Sequence, residues 1–481
     1  MINSTPIYNY FKYVSAECGS GKTSAVCKII NESGSTDRYI LVQNTIALIE
    51  KTSENLNDVK IIVTNTTSEN DNVITSVIDF LKRPDAKTLM ITDKTFFRIP
   101  CELLRGWYIY IDDVTNFHSF QNINEDNHDV KGVILSLLVH NVESLDDNNT
   151  YISAERKPNS GGELISAIRN KLSVFNDNDI FIMNNEFFTD PQKVQLNITA
   201  MKDLNKYTGL PITFLGANFE KSLIFKGNNE LFEKSNLEGL QTREIELRDR
   251  LKVFYFSKNR KLSKTWKNEN PYKIQKIYDY LNQELKDQEF YWTNNNGDAQ
   301  SLQGGLKISP DARGFDHYSN YTKCVWLACM RPSEAEAKHC ELFFKINGED
   351  IHIAREYEGL HQFALRGISR VFSSTETQIV YVFDEWQARS LSDNIEYIDL
   401  GIDDEEQGQK GRPQGSPNKE KRFTLDDTKA ARFRRWKKAN PELNLEVFRA
   451  FIASTINADL STEDIKAMYD KYDKAVQKKQ K

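Results

Sequence analysis

Eight residues near the start of the chain, Ala16-Glu17-Cys18-Gly19-Ser20-Gly21-Lys22-Thr23, have the make-up of a loop that holds polyphosphate. Gly19 and Gly21 let the backbone turn sharply and come close to the phosphates, where a Cβ would collide. Successive backbone N–H groups, with Ser20 between the glycines, and a following helix N-terminus form a concave positive cradle. Lys22 would reach the β- and γ-phosphates, and the Thr23 hydroxyl would ligate Mg²⁺. Ala16 stands at the first position, where the pattern usually has glycine. The loop follows the apolar run Phe11–Val14 and precedes a helix-like run, Ser24–Ile30. Strand, loop and helix in that order predict an ATP site lined by Ala16, Gly19, Ser20, Gly21, Lys22 and Thr23.

A second acidic feature fits this one. The apolar strand Tyr108–Ile111 ends in Asp112-Asp113-Val114-Thr115, so two carboxylates emerge at a strand's C-terminal edge. In a doubly wound sheet that edge lies beside the phosphate loop. Asp112 would complete the Mg²⁺ shell with Thr23, and Asp113 would orient the attacking water. The plain alternative is a turn with two solvated aspartates.

The elements that must position these groups read as alternating strands and helices. YILVQ (39–43), KIIVTN (60–65), TLMIT (88–92), YIYIDD (108–113) and ITFLGA (212–217) have the continuous apolar character of buried parallel strands, with helical patterns such as Asn72–Lys82 between them. A second set comprises KVFYF (252–256), EFYWT (289–293), CVWLA (324–328) and IVYVF (379–383). The fold class is therefore α/β, with two tandem P-loop-type domains built on parallel sheets. The expected divisions are 1–240 with an Asn/Asp-rich insertion at 116–205, then 245–400, a linker at 401–422, and a basic helical region at 423–481. The charged stretch Glu233–Arg250 joins the two α/β units.

Composition sets bounds on function. With 481 residues, 27% charged and 39% hydrophobic, the chain is long enough for two or three domains of ordinary globular make-up. Its longest apolar stretch, near Gly132–Val139, is too short to cross a bilayer, and the N-terminus lacks a signal-peptide pattern. Six cysteines without paired spacing argue for reduced thiols and a cytoplasmic setting. Net charge is −6, divided as −14 over residues 1–409 and +8 over 410–481. An acidic body with a basic tail makes the tail the part drawn to polyanions.

These residues resemble the superfamily 2 helicases and translocases. AECGSGKT is similar to their first motif and DDVT to their DExx box. Thr45 in LVQNTIALIE resembles motif Ia and Thr92 in MITDKTFF motif Ib, which implies contacts to a nucleic-acid backbone. FLGANFEKS (214–222) resembles a degenerate Ser-Ala-Thr motif that couples hydrolysis to movement. SPDARGFD (309–316) is similar to motif V, which implies nucleotide contacts from Gly314 and Asp316. QFALRGISR (362–370) is similar to motif VI, which implies catalytic roles for Gln362, Arg366 and Arg370. The resemblance covers about residues 10–385 and implies two RecA-like domains with ATP and Mg²⁺ in the cleft between them. Two departures stand out. Asp113 replaces the family's glutamate, and the two arginines are four residues apart instead of three. At that spacing they are expected to share a helical face, with Arg370 favoured as the arginine finger; surface ion pairing is the alternative. No adenine-reading Gln motif precedes the loop, which leaves Tyr8, Tyr10 or Phe11 for base stacking or for the core.

The tail adds a second nucleic-acid signal. Lys410-Gly411-Arg412-Pro413 resembles an AT-hook core, in which an extended Arg arm enters a narrow minor groove; a flexible basic linker is the alternative. Ala430–Lys438 interleaves Arg434, Arg435 and other cations with Phe433 and Trp436, a pattern for phosphate pairing and base stacking or for an amphipathic helix. Together these features predict an ATP-dependent DNA helicase of viral or phage type. DNA is the main partner, with replication or recombination proteins beside it and no membrane. The rivals are a duplex translocase, a DNA-packaging ATPase and a non-enzymatic DNA-binding scaffold.

Overall fold

The computed structural model describes residues 10–64, 72–113, 117–126, 130–134, 140–155, 178–310 and 318–404. Chain contacts divide the protein into Met1–Asp404 and Glu405–Lys481, and the second unit lies outside the described residues. Lys410, Arg412, Arg434, Arg435 and Trp436 therefore lie there too, as do Gly314 and Asp316.

The first lobe runs β1 (Phe11–Ser15), α1 (Lys22–Glu32), β2 (Tyr39–Gln43), α2 (Ile46–Ser53), β3 (Val59–Ile61), α3 (Val73–Lys82), β4 (Thr88–Thr92), α4 (Asp93–Phe96) and β5 (Tyr108–Asp112). An inserted sheet follows, with β6 (His118–Asn124), β7 (His140–Ser144), β8 (Tyr151–Glu155), β9 (Ile180–Asn184), α5 (Glu186–Thr189) and β10 (Gln195–Met201). The chain then returns through β11 (Ile212–Gly216), α6 (Leu223–Lys226) and β12 (Phe232–Lys234). Seven strands form one parallel sheet in the order β12-β1-β11-β5-β2-β4-β3. Every residue of β2 is buried, as expected of a strand covered by helices on both faces.

The second lobe runs β13 (Leu251–Ser257), α7 (Lys264–Glu269), α8 (Pro271–Glu284), β14 (Tyr291–Asn294), β15 (Leu306–Lys307) and β16 (Lys323–Leu327). It continues with α9 (Glu334–Phe344), α10 (Gly348–His352), α11 (Glu358–Ala364), β17 (Gln378–Asp384), α12 (Glu385–Leu391) and β18 (Ile395–Tyr397). Its sheet is again parallel, in the order β15-β14-β16-β17-β13-β18. The chain is thus an α/β protein with two tandem RecA-like parallel-sheet domains, and the glycine-containing loop 16–21 follows the first strand of the first.

Three features add to the sequence expectation or decide a choice it left open. The inserted segment builds an antiparallel sheet, in the order β6-β10-β9-β8-β7. The charged stretch from Glu233 is more than a connector: Phe232–Lys234 pairs with β1, and Arg250 is 2% exposed and donates to the carbonyls of Ile368, Val371 and Glu376. Phe11 is a core residue, 2% exposed, with its ring against Phe214 and Phe232 at 5.9 and 5.8 Å, whereas Tyr10 is 54% exposed.

Candidate active site

The strand order decides which side chains meet. β11 lies between β1 and β5, so the loop after β1 and the aspartates ending β5 emerge on either side of the β11 end. Across that gap Thr23 Oγ1 donates to Asp112 Oδ2 at 2.8 Å. Gln43 Nε2, from the end of β2, donates to the same oxygen at 3.0 Å. Burial, reinforced by the neighbouring Asp113 charge, pushes the Asp112 carboxyl above its usual range, while Thr23, Gln43 and Lys22 oppose the shift. A hard divalent cation favours such a hydroxyl–carboxylate pair, because it replaces the missing positive charge. The donor set therefore fits Mg²⁺.

The loop has the conformation its glycines allow. Gly19 and Gly21 have φ of 82° and 87°, and Gly21 caps α1 in the left-handed region. A Cβ on Gly19 would stand 3.3 Å from both Arg370 Cγ and the Arg370 carbonyl oxygen, so the loop is approached closely by the second lobe. Lys22 Nζ donates to the carbonyls of Ala16 and Glu17, both at 2.8 Å, which aims it back across the loop. Ser20 is buried, with no hydrogen-bond partner for its Oγ among the described residues. Asp113 also has a positive φ, 64°, and Asn44 Nδ2 donates to its carbonyl. Backbone held in that region by a neighbour's hydrogen bond concentrates at functional sites.

The second lobe reaches this site through α11 and the turn after it. One cavity of about 320 Å³ is lined by Gly19, Gly21, Lys22, Thr23, Asp112 and Asp113 on one side and by Gln362, Arg366 and Arg370 on the other. The expectation that the two arginines share a helical face is corrected. α11 ends at Ala364, and Arg370 closes a separate 3₁₀ turn, Ile368–Arg370. The cause is Gln378 on β17. Its Nε2 takes the Ala364 carbonyl at 2.6 Å, its Oε1 accepts from Ser369 N at 3.0 Å, and Tyr291 OH donates to the same end of the helix. Both arginines still reach the cavity, from different elements.

Two of the residues that meet here, Arg243 and Glu358, carry no sequence motif. Arg243, in the segment joining the lobes, contacts Glu17 of the loop after β1, donates to the Ser369 carbonyl at 2.6 Å and lies 3.9 Å over the Phe372 ring. Asn218 Nδ2 and Lys221 Nζ of the first lobe donate to the Glu358 carboxylate of α11 at 2.8 and 3.0 Å. Thr45 and Thr92, expected at a nucleic-acid backbone, are helix N-caps accepting from Leu48 N and Thr95 N. Thr45 also lines a second cavity of about 450 Å³ with Asn44, Lys94, Phe117, Asn218 and Arg355. Ala16 meets the site through its carbonyl, as an acceptor for Lys22.

No family model and no curated protein matches the chain. Among solved structures it is similar to an XPD helicase (13% identity, TM-score 0.44, 82% of this chain and 96% of that one). It is also similar to Xpd4 of S. tokodaii (11%, 0.43, 81% and 96%) and to Dbp5 of S. cerevisiae bound to RNA and ADP BeF3 (11%, 0.34, 82% and 86%). These are distant likenesses, and the functional reading rests on the cleft itself.

Proposed function

We propose that this protein is an ATP-dependent helicase of the superfamily 2 type that acts on DNA. The observation that carries the reading is the cavity of about 320 Å³ lined from both lobes, with Lys22, Thr23 and Asp112 facing Gln362, Arg366 and Arg370. A site completed by two lobes ties their spacing to nucleotide turnover, which is what a stepping motor needs. Lys22 would neutralise charge at the β- and γ-phosphates, and Thr23 and Asp112 would hold Mg²⁺, which screens the phosphate oxygens when bound. Asp113 would orient the attacking water, and the arginines would stabilise charge developing on the transferring phosphoryl.

DNA is the proposed strand because the tail's Lys410–Pro413 pattern suits a B-form minor groove, which RNA does not offer. A role in replication or recombination, in a phage or virus, belongs to the same proposal. The test is ATP hydrolysis measured without nucleic acid and with single-stranded DNA, duplex DNA and RNA. Stimulation by DNA is expected; no hydrolysis in any arm sinks the reading, and stimulation by RNA alone reassigns the strand. Duplex unwinding against triplex displacement then separates a helicase from a duplex translocase.

A further inference from the structure

Between α10 and α11 the backbone widens into a π-helical turn, Ile353–Tyr357. Such turns are rare and interrupt helices most often at functional sites. Consecutive side chains of this one are held by different bodies. Glu356, 1% exposed, accepts from Met330 N and from Gln387 Nε2 of α12, each at 2.8 Å, and so belongs to the second lobe. Arg355 joins the insertion instead: its Nη2 bonds His118 Nδ1 of β6 at 2.9 Å and the Glu336 carboxylate of α9. A guanidinium only donates, so His118 Nδ1 must accept, and its Nε2–H then faces Cys340 Sγ at 3.2 Å. Burial, and secondly the Arg355 charge, push His118 down to about 3, which keeps the ring neutral in that role.

The same arm is fastened elsewhere. Thr199 of β10 pairs with His339 of α9 at 2.9 Å, and the Tyr151 ring of β8 packs edge-on against His339 and Phe343. Lys226 of the first lobe pairs with Asp350 of α10 at 3.2 Å, and Ile346 and Ile351 join the first lobe's core. α11 follows directly, carrying Gln362 and leading to Arg366.

We propose that Arg355 is a positioning residue that ties the inserted sheet to the arm α9–α11, so that the sheet governs how Gln362 and Arg366 sit in the nucleotide cleft. Its kinetic consequence rests on the proposed ATPase reading; its structural consequence does not. In the full chain, Arg355→Ala should lower kcat on the order of tenfold or more while KM for ATP moves by less than about threefold. Amide exchange across residues 358–366 should quicken, with β1 and β13 unchanged. Arg355→Lys keeps the stem and the cation and is the variant read if alanine prevents folding; it should show both changes at smaller amplitude. Wild-type kcat with unchanged exchange across 358–366 overturns the proposal, as does equal quickening in β1 and β13. If the wild-type protein does not hydrolyse ATP, the nucleotide reading falls and the exchange pattern alone decides on Arg355.

Discussion

Under the proposed function, Lys22 and the two cleft arginines act on different parts of one reaction, and their variants should separate. Lys22→Ala is expected to abolish hydrolysis, because it removes the loop's own cation, the group proposed to neutralise charge at the β–γ bridge. Wild-type-like turnover in that variant would remove the phosphate-loop assignment. Arg370→Ala should keep nucleotide binding but lose on the order of 10³-fold in turnover, since a trans-lobe arginine acts mainly on the transition state. Arg366→Ala should show a similar or smaller defect. The two enter the cavity from separate elements, so a double variant measures whether they act as a unit. Normal hydrolysis in both single variants would show that the motif VI resemblance does not assign these arginines their role.

At the scale of elements, the site depends on where helices stop and strands end. Gly367 lets α11 end and the 3₁₀ turn begin, because a Cβ there would stand 2.6 Å from both the Tyr321 carbonyl oxygen and Gln378 Oε1. Gly367→Ala should therefore displace the arginine turn and cost about 1–3 kcal/mol in unfolding free energy, with turnover falling more than nucleotide affinity. Chemical denaturation beside a nucleotide titration checks both. Asp384 closes β17 and caps α12, accepting from Gln387 N at 2.9 Å and from Leu262 N at 3.0 Å. Burial raises its carboxyl to about 6, against these backbone bonds. A raised pKa gives stability that is full below the unfolded value near 4 and lost as pH rises through about 6. Asp384→Asn removes that dependence, so its stability relative to wild type should improve by about 1 kcal/mol from pH 5 to pH 8. Parallel pH profiles for the two proteins would contradict the raised pKa. Much of this framework was legible in the sequence, because strands buried on both faces must be continuously apolar, as YILVQ and IVYVF are. The inserted sheet was not: β6 reads HSFQNIN, polar and only partly buried, and its pairing with β10 is non-local. Arg243 and Arg355 were equally hidden, since a lone arginine has no spacing to betray it and its partners lie 126 and 237 residues away. The break between Arg366 and Arg370 was missed for the same reason, as Gln378 causes it from another strand.

At the scale of the whole molecule, lobe spacing is set by contacts that the proposed motor must be able to exchange. Lys221 and Asn218 against Glu358, and Arg243 against Glu17 and Ser369, bridge the cleft beside the cavity proposed for the nucleotide. The second lobe's own C-terminal segment is fastened as far as Asp404. Asp403 accepts from Ser257 Oγ at 2.6 Å and from Lys258 N at 2.7 Å, and Lys273 Nζ donates to the carbonyls of Ile402 and Asp404. Truncation after Asp404 retains every one of these anchors. Deleting residues 405–481 should accordingly leave a folded, nucleotide-hydrolysing core. DNA affinity should fall, and the salt dependence of binding should become shallower, because the +8 segment supplies phosphate contacts and counterion release. In the full chain, Arg412→Ala should weaken binding to AT-rich duplex more than to GC-rich duplex, since guanine's exocyclic amine obstructs the minor groove. Titrations of both duplexes at several salt concentrations read out each effect. Equal losses on the two duplexes would reduce the tail to a nonspecific basic tether, and an insoluble truncated protein would show that the core depends on residues beyond Asp404.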